Sequence, residues 1–353
     1  MTVLLSGGAG FIGQHVARRL VADQYRVAAL DTLDPQVHAD PDASLRAFPG
    51  PIFRADVSDS RAWDSLRDVE TVIHLAAETG VGQSMYEASR YHQVNVDGTR
   101  LAAQFARSRD IPLIVLSSRA VYGEGRYECP RHTVTFGGPC CSLAIPALSA
   151  EDDELKPVSV YGDTKVLAEG SAQAEMRDRG QLTIVRPQNV VGPGQALHNP
   201  YTGVLAAFLA MLREQVPLTV YGDGLDTRDF IHVADVAVLL TWLVKNPPAR
   251  SAPRIVNAGT GMRTSLNDLA SIAAAAAPVP SPGLRHIDVH RAGDIRHACA
   301  DLTRLGEIDA PLAERTSADA IGDFIRASWD KPGAPAATWD EALGELESRG
   351  LTS

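Results

Sequence analysis

The chain has 353 residues, 45% apolar and 22% charged, an ordinary globular composition with room for one large α/β domain and a smaller one. Its net charge of -10 argues against binding nucleic acid through the phosphates, while a few local arginines still suffice for a small anionic ligand. The opening "MTVLLSGG" lacks a basic n-region, the apolar run at 236–244 is far short of the ~20 residues a membrane helix needs, and four cysteines make no disulfide framework, so a cytoplasmic protein away from membranes is expected.

In chain order, "TVLLS" reads as a buried strand that ends in glycines. "FIGQHVARRLVA" follows with helical spacing, placing Ile12, Val16 and Leu20 on one face. "RVAALD", "PIFRAD", "TVIHLAA" and "PLIVLSS" are further strands, each followed by a helical or loop stretch. Continuous apolar strands between helices predict a doubly wound α/β fold, a parallel sheet covered on both faces. After Arg186-Pro187 the texture changes, with Gly, Pro and Asn dense through "RPQNVVGPGQALHNP". Helices are expected near 201–214 and 234–245, mixed with the strand-like pieces "LTVYG" and "RDFIHV". The alanine run at 273–278 reads as a helix end.

"LLSGGAGFIG" sets Gly7, Gly10 and Gly13 at the first strand-to-helix turn. A tight turn needs free φ, a pyrophosphate needs close backbone approach, and a helix packed on a strand needs a missing Cβ. The helix N-terminus then faces the phosphates. Asp31 ends the second strand about 20 residues on, where an acid holds the adenosine ribose hydroxyls. Thr32-Leu33-Asp34 offers no arginine for a 2′-phosphate, so NAD is expected over NADP. Asp56 is a candidate adenine contact, although "ADVSD" also reads as a helix N-cap.

In "SVYGDTK", Tyr161 and Lys165 stand four apart, on one face of a helix. An ammonium beside a phenol favours the phenolate, as a general base requires. "LSSRAVYG" supplies Ser117 and Ser118 where a strand runs out, at the sheet edge where doubly wound folds bind ligands.

With "GGAGFIG", "LSSRAVYG", "YGDTK", "RPQNVVGPG" and "RDFIHVADV" in that order, nearly the whole chain resembles the extended short-chain dehydrogenase/reductases of the nucleotide-sugar epimerase/dehydratase family. The resemblance implies a Rossmann-type NAD domain over 1–186, with 232–258 returning to it, and a smaller, mixed α/β substrate domain over most of 187–353. It implies a catalytic triad of Ser118, Tyr161 and Lys165. It adds Phe11, Ile12, Val57, Leu75, Ala76, Ala77, Asn95 and Pro187 to the cofactor site. For the substrate it implies Val81, Ser118, Arg119, Asn189, Asn199 and Tyr221, with Arg228, Arg291 and Asp294 at the pyrophosphate end. Tyr221 is expected to stack on the base. Family dehydratases carry Asp-Glu after the catalytic Ser/Thr, and decarboxylases a Glu two before the following "VYG" Tyr; this chain has Arg119 and Ala120. The remaining chemistry is hydride removal and return, so the implied activity is a 4-epimerase acting on a dTDP- or UDP-sugar. The alternatives are an NAD(P)H-dependent 4-ketoreductase and a non-catalytic dinucleotide sensor. A homodimer through helices near 86–107 and 161–178 is implied.

"SSRAVYGEGRY" and "GDIRHACAD" resemble the branch that includes dTDP-L-rhamnose 4-epimerases. Related sequences of that branch carry spaced Cys/His pairs in the insertion before the catalytic Tyr, resembling a zinc clip. Here Cys129 and His132 are followed by the adjacent Cys140 and Cys141, and adjacent cysteines are poor partners on one tetrahedral ion. The expectation is therefore no metal, and a plain loop with leftover thiols.

Overall fold

The computed structural model describes every residue except 179, 200–202, 251, 290 and 353. The first half runs β1 (Thr2–Ser6), α1 (Phe11–Ala22), β2 (Arg26–Asp31), α2 (Pro41–Ala47), β3 (Ile52–Arg54), α3 (Ser60–Asp64), β4 (Thr71–His74), α4 (Val81–Ser84), α5 (Ala88–His92), a π-helical turn (Gln93–Asp97), α6 (Gly98–Ser108) and β5 (Leu113–Leu116). A 3-10 turn (Arg119–Tyr122), β6 (Arg126–Cys129), β7 (Thr133–Phe136), β8 (Ile145–Pro146), α7 (Val160–Met176), β9 (Leu182–Pro187) and β10 (Asn189–Val191) follow. The remainder is α8 (Val204–Glu214), β11 (Leu218–Tyr221), β12 (Thr227–Arg228), β13 (Phe230–His232), α9 (Val233–Lys245), β14 (Arg254–Ala258), β15 (Thr264–Ser265), α10 (Leu266–Ala276), β16 (Leu284–Ile287), α11 (Thr303–Glu307), α12 (Ser317–Ser328) and α13 (Ala337–Ser348).

Seven strands form one parallel sheet in the order β14-β9-β5-β4-β1-β2-β3. The order reverses between β1 and β4, which opens a crevice at their carboxyl ends, the ligand position of a doubly wound sheet. One face is covered by α1 and α9, through Val16, Leu20, Leu240 and Leu243. The other is covered by α6 and α7, through Ala102, Ala106, Ala172 and Met176. A second core joins α8, α10 and α12 around Phe208, Leu212, Leu269, Ile321 and Phe324. Each such side chain, fully buried, contributes roughly 1.5–3 kcal/mol. The helix read near 201–214 is observed over Val204–Glu214, and residues 201 and 202 lie outside the described residues.

The insertion is not a plain loop. It folds as a three-stranded antiparallel sheet in the order β7-β6-β8. Its strands are short, and β7 and β8 hold no buried residue, so they carry no strong apolar alternation. Among the described residues, no helix is long and apolar enough to cross a membrane.

Candidate active site

A cavity of about 980 Å³ runs from the first glycine turn, across the ends of β1, β4 and β5, to the segment around Arg291. At its first end Gly7 has φ +67, and a Cβ there would lie 2.7 Å from the Ala76 backbone nitrogen. A Cβ on Gly13 would lie 2.5 Å from the Gly8 carbonyl oxygen, so α1 sits directly on the turn. Gly10 caps α1 with no side-chain hydrogen bond, which leaves the helix's first amides for an anion. Asp31 is buried, and its carboxylate accepts from the Ala9 amide (3.0 Å) and the Leu33 amide (2.9 Å). Arg54, in register with Asp31 on β3, turns its Nε to the Thr32 carbonyl and does not line the cavity. Asp56 lines the cavity, and Asp59, not Asp56, caps α3. Phe11, Ile12, Val57, Leu75, Ala76, Ala77 and Pro187 line the same end.

Asn95 departs from the expectation. It does not line the cavity; its amide is consumed within the chain. It donates to the Glu78 carbonyl (3.1 Å) and Thr164 Oγ1 (3.0 Å) and accepts from the Glu78 amide (2.8 Å). It thus ties the cavity wall to α7 instead of facing a ligand.

Ser159 starts α7 by accepting from the Gly162 amide. Gly162 is required there: a Cβ would fall 2.8 Å from the Ala120 carbonyl oxygen, so its absence lets α7 close on the 3-10 turn that follows Ser118. That contact sets Tyr161 near Ser118, close enough for the serine to favour the phenolate. Burial pushes the Tyr161 phenol up from its usual value, and Ser118 and the charge of Arg119 oppose this. In the structure Lys165 Nζ donates to the Leu116 carbonyl (3.0 Å), and burial brings its ammonium down to about 8, with Glu169 opposing. Ser117 donates to Glu169, so Ser118 is the serine that meets Tyr161.

At the far end, Arg119 and Arg228 line the cavity. Burial and the neighbouring Arg228 bring the Arg119 guanidinium down to about 10, with Asp294, Tyr161 and Glu124 opposing. Arg228 is lowered by burial, and among the described residues it donates to the backbone carbonyls of Thr227 (2.9 Å) and Arg296 (3.4 Å). Arg291 pairs with Asp294 (2.9 Å) and stacks 4.9 Å over the Tyr221 ring, so one face of that ring already has a partner. Val81, Asn189 and Asn199 line the cavity, and Asn189 Oδ1 is a buried acceptor with no partner among the described residues.

Behind the site lies a network that the sequence reading missed. Arg186 Nη2 pairs with Glu169 (2.7 Å), Nη1 donates to Tyr122 Oη (3.0 Å), and Tyr122 Oη donates to Asn257 Oδ1 (2.7 Å). His74 is also buried, between Ser6 Oγ (2.6 Å) and Thr99 Oγ1 (3.1 Å), and burial with the nearby Lys165 holds its imidazole down at about 3. The signal was present: a charged or titratable residue inside the apolar strands "LTIVRP" and "TVIHL" must have a buried partner.

The model of the NAD dependent epimerase/dehydratase family matches residues 3–259. The chain belongs to this family. It is 38% identical over 322 residues to a dTDP-L-rhamnose 4-epimerase of Burkholderia thailandensis, covering 85% of this chain and 87% of that one. It is 31% identical over 316 residues to a UDP-glucose 4-epimerase of Mycolicibacterium smegmatis, covering 87% and 92%. The solved UDP-glucose 4-epimerase of Thermus thermophilus, in complex with NAD, superposes with a TM-score of 0.77 at 25% identity, covering 94% of this chain and 100% of that one. This member of the family keeps the glycine turn, Asp31, Ser118, Tyr161 and Lys165 around one cavity, with Asn95 outside it.

Proposed function

We propose that the protein is an NAD-dependent 4-epimerase of dTDP- or UDP-sugars. The observation that carries this reading is the placement of Tyr161 and Ser118 between the glycine cradle and two half-buried arginines, Arg119 and Arg228, with Arg119 where a dehydratase needs an acid. The residues present fit NAD: the missing Cβ atoms at Gly7 and Gly13 let the turn pack tightly on Ala76 and on the start of α1, α1 keeps free amides, and Asp31 offers an acceptor to ribose hydroxyls. When bound, NAD supplies a hydride acceptor and donor. Tyr161 takes the proton of the sugar's C4 hydroxyl and returns it to the ketone oxygen. Ser118 and Arg119 favour the phenolate that does this. Arg228 and Arg291 fork onto the pyrophosphate, so the keto sugar turns while its diphosphate stays anchored.

Water loss would need an acid and a base beside C5 and C6. Arg119 and Ala120 supply neither, and the nearby cavity acids are engaged, Asp294 by Arg291 and Asp226 by Arg296 (2.6 Å). A homodimer through the outer faces of α6 and α7, where Leu167 is exposed, and a cytoplasmic location belong to the same reading. The test incubates purified protein with a panel of dTDP- and UDP-hexoses and no added cofactor, followed by NMR. One member of the panel converts to its C4 epimer. Net reduction that depends on added NADPH would replace the epimerase with a ketoreductase.

A further inference from the structure

The insertion between the 3-10 turn and α7 holds the densest set of soft metal-ligating side chains among the described residues, well outside the cavity. Cys129 is the last residue of β6, His132 lies in the tight turn into β7, and Cys140 and Cys141 lie where the chain bends after β7. One donor atom from each, three sulfurs and the His132 ring nitrogen, lie within 4.8 Å of one another. Adjacent cysteines in an extended strand point to opposite faces, which is why the pair looked unfit for one ion. Here the backbone bends at both, so the two thiols come to the same side.

The separations match the edges of a metal tetrahedron. With Zn–S near 2.3 Å and Zn–N near 2.0–2.1 Å, tetrahedral geometry puts two sulfurs about 3.8 Å apart and a sulfur and nitrogen about 3.6 Å apart. Cys129 Sγ lies 3.5 Å from His132 Nδ1 and 3.6 Å from Cys141 Sγ, and Cys140 Sγ lies 3.3 Å from His132 Nδ1. Two sulfurs thus converge on one ring nitrogen that has a single proton or a single lone pair. Hydrogen bonding satisfies at most one of them; a cation at the centre satisfies both. Thr133, directly after His132, is held at φ +63, a costly conformation for a β-branched residue and one that persists only where the surroundings fix it.

We propose that Cys129, His132, Cys140 and Cys141 bind one zinc ion in a closed structural site. Three thiolates and an imidazole suit Zn²⁺, and a fourth protein ligand leaves no open position for catalysis. Binding releases the three thiol protons to solvent. The site staples the turn between β6 and β7 to the 140–141 bend. Its effect reaches the cavity along a defined path. Tyr127 on β6 donates to Glu124, Glu124 accepts from the Arg296 amide (2.6 Å), and the Arg296 carbonyl accepts from Arg228. The clip therefore steadies the segment that frames Arg228.

The test is the metal content of the full-length protein, made without a polyhistidine tag and with zinc in the medium. About one zinc ion per chain is expected after gel filtration. Replacement by Co²⁺ should give the intense visible bands of a tetrahedral site and a near-ultraviolet thiolate charge-transfer band. A Cys140→Ser/Cys141→Ser variant, altered on the solvent side of the cluster, should lose the metal and the cobalt bands while keeping its far-ultraviolet circular dichroism. A Cys299→Ser variant, outside the cluster, should keep both. Wild-type protein with less than about a tenth of an ion per chain that takes up neither Zn²⁺ nor Co²⁺ overturns the proposal. So does a mass lower by two hydrogens from a disulfide within the cluster, or full zinc retention by the double variant.

Discussion

Glu169→Gln removes one negative charge from the network behind the site and changes side-chain volume little. Both partners of the ion pair are buried, each with 3% of its side chain exposed. The Glu169 carboxylate accepts from Arg186 Nε (3.0 Å), from Arg186 Nη2 (2.7 Å) and from Ser117 Oγ. In the variant the Arg186 guanidinium keeps its charge without a counter-ion, because its other partners are the Tyr122 hydroxyl and the Glu151 carbonyl. Leaving one charge of a buried pair uncompensated costs about 3–5 kcal/mol, a large share of a total stability of about 5–15 kcal/mol. At a urea slope of about 3 kcal/mol per M, the unfolding midpoint falls by more than about 1 M with the slope unchanged. The assay is urea unfolding followed by tryptophan fluorescence and circular dichroism, on Glu169→Gln, Arg186→Met and the double variant. The double variant should be more stable than Glu169→Gln alone, because it removes the stranded charge. A midpoint shift worth less than about 1 kcal/mol, or strict additivity of the two changes, refutes the reasoning.

Tyr161→Phe should retain bound NAD and lose about 10²–10⁴-fold in turnover, because the phenol is the base and its ring packs edge-on against Tyr91; steady-state rates with quantified nucleotide content check this. Gly7→Ala should distort the glycine turn and purify without NAD, since φ +67 and a 2.7 Å approach to the Ala76 backbone leave no room for a methyl group; nucleotide released on denaturation is the measure. His74 has a folded-state value of about 3 against an ordinary 6.5, so the unfolded chain binds the extra proton between those limits. Its contribution is complete above about pH 6.5 and is lost as pH falls toward 3. Subtracting the pH–stability curve of His74→Gln from that of the wild type should expose this window, and identical curves would contradict it.

Much of the architecture was legible because its signals are local. A strand that ends in glycines, a helical repeat and an acid about 20 residues on all lie within one βαβ unit, and the crevice formed where they indicate. Tyr161 and Lys165 were legible from helical spacing, but their division of labour was not. Arg119, in the 3-10 turn after β5, also favours the phenolate, and helical spacing does not report it. Asn95 has the right residue type and yet spends its amide on Glu78 and Thr164, a choice set by the packing of α7 on the π-helical turn. The pairing of Glu169 with Arg186 joins a helix to a strand, and no periodicity reports it. The convergence of Cys129, His132, Cys140 and Cys141 was not legible because the bend at 140–141 depends on the β6–β7 hairpin, whose short strands leave little apolar pattern.

The central claim is inversion at C4 by removal and return of one hydride within the bound cofactor. The most direct test runs the conversion in D₂O with the panel member that reacts and reads the product by NMR. The account predicts the C4 epimer with no deuterium at C4 or C5, because the carbon-bound hydrogen never exchanges with solvent. Deuterium at C4 would show deprotonation without hydride transfer, and deuterium at C5 with loss of the C6 hydroxyl would show a dehydratase; either contradicts it.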